Sequence, residues 1–545
     1  VAIALIFAMT VPTPGLAFTQ TGSSSQGTLS WTGSGYLGGQ NHSVSSGTDG
    51  VAVAGQSNTI TAPRAAAIGG RQNTISGGEN DANSVTIAGV HNTVNTDDGV
   101  AIGGQDNQVR GRNSIVIGGG YDVYSGNTRV AAYSGDNITW GGGSVIVSGQ
   151  HNRASADASL ILAGKYNVTT KPANGSVIMG GTLNTTYTSD VVVISGYSNS
   201  ARGVGSTVVG GQLNVTRSSM SLVVGGSGNQ TYGNLSLAVG GISNSTNGYN
   251  SLTVGGKENT TNDELAMAVG GTGNNAAAYN SITVGGTKNV TKGQQALALG
   301  GQNSRVEGTN AVALGGEQNK TSGDSAVVAG GDNNWASGDK SMVLGGQDNE
   351  ARANLSTVIG GKGNYANSLD AMVIGGEGNN ANAEYSMVIG GMYNSADAQY
   401  ATTIAGTKNT ASAKNAITIG GSQLNATSSD AVAMGGTGNT VSASNAIAVG
   451  GRSNEAKGYY SATIAGKENE TIGIGSVALG GKENIVSGER ALAAGGEGNE
   501  AGGYEAMTLG GRLNTAASSF SVTVAGVNNK ATSENAVVVG GRSNS

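Results

Sequence analysis

Cysteine is absent from the 545-residue chain, which excludes disulfides and thiolate metal sites. Proline occurs 4 times, tryptophan 3 times and phenylalanine 3 times, and charged residues make up only 11%. Compact cores filled by large aromatic side chains are thereby ruled out, and small residues must pack closely in their place. Scarce proline, with glycine that does not fall at every third position, excludes a collagen-like helix. Positive charge is short as well: 28 Lys and Arg stand against 34 Asp and Glu, a net charge of -6. That removes the basic footprint a phosphate backbone demands, and nucleic acid is not expected as a partner. No segment approaches the ~18 apolar residues of a membrane helix, so no membrane insertion is expected.

What the chain has is glycine, 96 residues of it, in a repeat. From Gly180 to Gly540 a Gly-Gly step preceded by a short apolar run recurs every 15 residues, in 25 consecutive copies such as Asn280–Gly286 and Asn535–Gly541. The second glycine is present in all 25, whereas the first gives way to Ser195, Ala405, Ala465 and Ala525. Three residues after the second glycine stands Asn in 23 of 25 copies, with Ser304 and Leu424 the exceptions. Earlier copies at residues 51–179 follow the same rule with insertions, the longest at 121–142.

Fifteen residues cannot bury a face alone, and the period matches neither a heptad nor a helical repeat. The four residues before each Gly-Gly are rich in Val, Ile, Leu, Met, Thr and Ala, as strands are. These features predict an all-β fold: a parallel β-solenoid or β-roll of about 30 coils with 15 residues each. Gly-Gly supplies the corner, where a Cβ would repeat its clash at every level of the stack. No charge appears in the four strand columns across the 25 copies. A strand uncharged on both faces is one covered on both, and a single coil has only one interior, so the second face is expected to meet another chain. The Ser/Ala column of the strand (Ser206 through Ala536) suggests the close approach there.

The Asn column, with Asn184, Asn199, Asn214, Asn229, Asn244, Asn259, Asn274, Asn289, Asn319, Asn334 and Asn349 among its members, reads as an amide ladder. In it each side chain is expected to donate to the carbonyl of its neighbour one coil away. Nine of the 15 Asn-x-Ser/Thr sequons fall in this column; Asn41, Asn137, Asn234 and Asn354 lie off it and are the better candidates for glycosylation. Charges gather between the second glycine and Asn and in the following loop, as a solvated edge. The insertion at 121–142 holds Tyr121, Tyr124, Tyr133 and Trp140, aromatics that suit ligand contact, or else a loop folded over the coil.

The chain opens on the apolar run Val1–Met9, followed by Pro12, Pro14 and Gly15-Leu16-Ala17, and residues 1–17 read as the end of a secretory signal. A cap or irregular start is expected over 18–50, an interrupted solenoid over 51–179 and a regular one over 180–545. The three His (His42, His91, His151) have no recurrent acid or nucleophile beside them, and no enzyme, cofactor or metal is expected.

With its motif Asn-Ser/Ala-apolar-Ala/Thr/Val-Val/Ile-Gly, repeated over about residues 50–545, the sequence resembles the YadA-like head domain of trimeric autotransporter adhesins, a left-handed parallel β-roll. The resemblance implies three chains around an axis, a secreted or cell-surface setting, and attachment to host surfaces, matrix or other cells. The other reading is a structural subunit of a self-assembling extracellular filament or sheath, with end-to-end self-association.

Overall fold

A computed structural model describes residues 35–45, 49–76, 83–118, 121–125, 128–133 and 137–545, and among them every regular element is a strand. The chain is an all-β parallel solenoid of about 31 turns with about 15 residues per turn. It divides into two compact units, the first ending at Gly273 and the second running Asn274–Ser545. Within each unit successive turns stack in register, as in Leu222↔Leu237↔Leu252 of the first and Met372↔Met387↔Thr402 of the second.

One turn of the first unit shows how the residues make the coil. Leu237–Val239 is a three-residue strand, and Gly240 and Gly241 bend out of it with φ of +61° and +76°. Ile242 makes a single parallel bridge to the turns on either side. Ser243, at φ +55°, turns the chain into Asn244, and Ser245–Thr246 forms a two-residue strand on the opposite wall. Asn250, at φ +51°, closes the turn. Four left-handed residues per turn are thus what bends a short β chain back on itself.

The two glycines do different work. At Gly240 a Cβ would meet nothing within 4 Å, so only the backbone angle selects the residue. Ala405, Ala465, Ala525 and Ser195 hold the same place in other turns with φ of 55° to 57°. At Gly241 a Cβ would run into the Gly256 carbonyl and the Asn244 amide. Space and angle together admit glycine alone there, which is why the second column never varies.

The interior is narrow. Ser236, Ala238, Asn244 and Thr246 all point inward and are buried, while Leu237 and Val239 flank them on the outside, half-buried. Hydroxyls from the two walls meet across the lumen: Ser206 Oγ lies 2.7 Å from Thr216 Oγ1. This corrects the reading of the Ser/Ala column as a contact between chains. It lines the inside of a single chain, where the close walls favour small side chains, and most large apolar residues are turned outward, with Ile60, Ile75, Ile146, Ile161, Ile178 and Leu424 the larger residues held inside.

Stacking also begins earlier than 51, since Gly35–Leu37 pairs with Val51–Val53. Residues 1–17, read as a signal remnant, lie outside the described residues.

Candidate binding surfaces

The asparagine column is a ladder, with different bonding from the one expected. Asn229 Oδ1 accepts a hydrogen bond from the backbone N–H of Asn244 at 3.0 Å, and Asn244 Oδ1 does the same for Asn259 at 2.9 Å. The amide nitrogen donates to glycine carbonyls: Asn244 Nδ2 reaches Gly240 O at 3.2 Å in its own turn and Gly255 O at 3.0 Å in the next. Each side chain therefore ties backbone to backbone between turns, and a side-chain pair such as Asn107 Nδ2 to Asn92 Oδ1, at 3.1 Å, is unusual among them. Asn184, Asn199, Asn214, Asn229, Asn244, Asn259, Asn274, Asn289, Asn319, Asn334 and Asn349 are all buried. Leu424 and Ser304 accept no such role: each donates its N–H to the Asn before it, and the Ser304 hydroxyl is buried without a partner. The ladder also takes in His42, whose Nδ1 accepts from Asn58 N–H at 3.3 Å.

Of the four glycosylation candidates, Asn137 is corrected. It is a ladder residue, fully buried, with Oδ1 accepting from Asn152 N–H at 3.0 Å and Nδ2 donating to Gly149 O at 3.0 Å. Asn41, Asn234 and Asn354 are exposed. The insertion is shorter than 121–142 as well. It folds as an antiparallel pair, Tyr121–Ser125 against Thr128–Tyr133, and places Tyr121 opposite Tyr133. By Asn137 the coil has resumed, for Ile138–Thr139 pairs with Gln108–Val109 and with Arg153–Ala154. Trp140 thus belongs to the solenoid wall and not to the insertion that holds Tyr121, Tyr124 and Tyr133.

Three outward surfaces result. The three-residue strands present two apolar columns that carry no charge, and in the second unit Leu299, Leu314 and Ile359 keep 37% of their surface exposed and Ile447 40%. The two-residue strands present a polar face on the opposite wall. Between them run the charged edges, where Lys482 bridges Glu483 at 2.9 Å and Glu497 at 3.0 Å. Hydrogen bonds donated to the Glu455 and Glu470 carboxylates hold the Lys457 ammonium above its ordinary pKa, and Lys467 holds the Glu468 carboxyl below its own. These pairs are solvent-exposed and screened, so they keep the edges hydrated and add little to stability. Among the described residues no group of three or more His, Asp or Glu is placed to hold a metal ion.

Fold and surfaces together define a class, the parallel β-solenoid repeat proteins with coils of β-roll size. No family model and no curated protein matches the chain.

Proposed function

We propose that this chain is the head of a secreted, cell-surface adhesin, in which three copies associate side by side through their apolar strips and the remaining faces attach to surfaces, matrix or other cells. The observation that carries the reading is the uncharged double column on the outside of the coil. Rungs from Ile282–Val284 to Val537–Val539 follow one another in the second unit. At ~4.8 Å per rung and ~10 Å of strand width, that strip covers on the order of 800 Å². Monomeric proteins seldom expose an apolar patch of that size, and it equals one partner's share of a stable protein–protein interface. The resemblance of the repeat to adhesin heads supplies the adhesive setting.

Sedimentation of the purified chain tests the association. A discrete particle of three chains supports the proposal, and Ile417→Glu combined with Ile419→Glu is expected to return it to single chains of 53.5 kDa with its β spectrum intact. Wild-type protein that stays at the single-chain mass up to high concentration would refute it. Fibres of indefinite length would replace it by the filament reading. Retention of the trimer on collagen-coated or cell-coated plates would support the adhesive half, and retention on no surface tested would leave it without support.

A further inference from the structure

The backs of the two-residue strands face away from the apolar strip, because the inward side chains of the two walls meet across the lumen. On this face of the first unit, the turns from Gln108 to Tyr232 carry Arg110, Arg153, Arg202 and Arg217 and no carboxylate. Between Asp157 and Glu258 the only acid anywhere in the sequence is Asp190. That is an unusual stretch in a chain whose net charge is -6.

The arginines are ordered by aromatic rings. The rung of Trp140 lies between those of Arg110 and Arg153, whose guanidinium carbons sit 4.7 Å and 5.2 Å from the centre of its ring. Further on, four successive rungs carry Tyr187, Arg202, Arg217 and Tyr232, with Arg202 4.6 Å from the Tyr187 ring and Arg217 5.0 Å from that of Tyr232. Each Nε is used locally, Arg202 on Ser200 Oγ at 3.1 Å and Arg217 on Gln230 Oε1 at 3.4 Å. None of the four forms an ion pair among the described residues, whereas on the same face of the second unit Arg352 pairs with Glu350 at 2.7 Å and Lys457 with Glu470 at 2.7 Å.

Arg202 and Arg217 stand on adjacent rungs, ~4.8 Å apart along the stack, with no counter-charge on this face, so their like charges repel. An external anion relieves that repulsion. Stacking on a ring holds a guanidinium flat and turns the terminal N–H fork of Arg153, Arg202 and Arg217 to the paired oxygens of a carboxylate or sulfate, while Arg110 keeps one terminal nitrogen on Gln108 Oε1 at 2.6 Å. Because the cations repeat along the stack, the matching ligand repeats its anions too. Guanidiniums flank Trp140 on both sides and cover one face each of Tyr187 and Tyr232, which reduces the stacking platform open to nucleotide bases.

We propose that this face binds a linear anionic polysaccharide, its sulfate or carboxylate groups held by Arg110, Arg153, Arg202 and Arg217. The proposal names a ligand class for the adhesive reading and rests on that reading only for its setting, since the residues differ from those of the apolar strip.

The test is binding of the full chain to immobilised heparin, hyaluronate, neutral dextran and single-stranded DNA across a salt series, with mass measured on the same sample. Binding to heparin, to hyaluronate or to both, weakening with salt and absent on dextran, is expected. The double variant Arg202→Gln and Arg217→Gln should bind at least about tenfold more weakly, with a salt slope lower by about two, while its mass and β spectrum stay unchanged. Arg352→Gln, on a paired arginine, should change nothing. Failure to bind either polyanion at low salt, equal binding by the double variant, or tighter binding to DNA than to heparin would overturn the proposal. Loss of the trimer with polysaccharide binding retained would sink only the association reading.

Discussion

Adjacent glycines of one corner offer a comparison in which a single methyl group separates two effects. At Gly390, φ is +63° and an added Cβ meets nothing within 4 Å, so Gly390→Ala should cost only the left-handed backbone, about 1 kcal/mol. Ala405 already occupies this column one turn on, at φ +55°. At Gly391, φ is +78° and a Cβ would strike Gly406 O and the Asn394 amide and approach the Ala405 carbonyl carbon at 2.8 Å. The backbone atoms cannot retreat without breaking the parallel pairing, which adds roughly 1 to 3 kcal/mol of overpacking. Displacing Asn394 Nδ2 also strains its bonds to Gly390 O at 3.1 Å and Gly406 O at 3.1 Å, at about 1 kcal/mol each. Gly391→Ala should therefore cost about 4 kcal/mol or more. A long solenoid opens locally, so the fitting assay is native-state hydrogen exchange at Met392 and Ala405. Their N–H groups cross between turns, to Gly406 O at 2.9 Å and Ile389 O at 2.7 Å. Exchange should quicken about fivefold in Gly390→Ala and about a thousandfold in Gly391→Ala, at 1.4 kcal/mol per decade. Equal effects, or a larger one at Gly390, would refute the assignment of space to one column and angle to the other.

Asn379→Ala removes bonds to Gly375 O at 3.1 Å and Gly391 O at 3.2 Å and strips the Asn394 N–H of its acceptor at 2.9 Å, which should cost about 3 to 4 kcal/mol locally; unchanged exchange at the Asn394 amide would show that the ladder is not what holds the turns. Ser251→Asp places a carboxylate where the serine hydroxyl now bonds Gly248 O at 2.7 Å inside the coil, so it should destabilise the fold by several kcal/mol rather than alter assembly. Burial raises the pKa of such a group, so the loss should grow as pH rises above the carboxylate range and shrink in acid; a stable fold at neutral pH with altered mass would contradict it. Deleting residues 120–134 joins Gly118-Gly119 to Gly135-Asp136-Asn137 and restores the 15-residue period, so the shortened chain should keep its β spectrum and melting temperature. A collapse of either would mean that the hairpin supports the turns around it.

The period, the corner and the asparagine column were legible because each is a fixed residue type at a fixed spacing. Orientation was not. Both flanks of the strand are uncharged, and the habit of assigning large apolar residues to the core places Leu237 and Val239 inside; the closeness of Ala238 to the opposite wall decides otherwise, and no residue type declares a wall-to-wall distance. Two left-handed columns were missed although a signal existed. Neither the residue before the ladder position (Leu183, Ser243, Glu258, Tyr393) nor the one that closes the turn (Asp190, Asn250, Leu265, Phe520) is Val, Ile or Thr in any copy from Gly180 onward. That is the mark β-branched exclusion leaves at positive φ. The spacing of 15 residues from Asn137 to Asn152 would likewise have returned Trp140 to the wall. The ladder's true partners follow from the amide reaching along the stack to backbone groups, which composition alone does not specify.

One constraint links these features to the surfaces. A turn of 15 residues encloses a narrow lumen, so the inside is mostly Ser, Ala, Thr, Val and Asn, with a larger residue at a few levels such as Ile146, Ile161, Ile178 and Leu424. Such an interior buries little apolar area per residue, and the loss is met by hydrogen bonds that recur at every level, Asn to backbone and hydroxyl to hydroxyl. Most of the larger apolar residues then take the outside of the sheet, where in a lone chain they stay part-exposed. The association proposed above would cover that wall, and the opposite wall, free of that demand, is the one whose residues vary from turn to turn. Arg202 and Arg217 in the first unit against Glu350 and Arg352 in the second are that variation. Recognition is expected where the repeat is least strict, and a scan of charge reversals along the two-residue strands should move ligand binding while leaving turn-to-turn exchange protection unchanged.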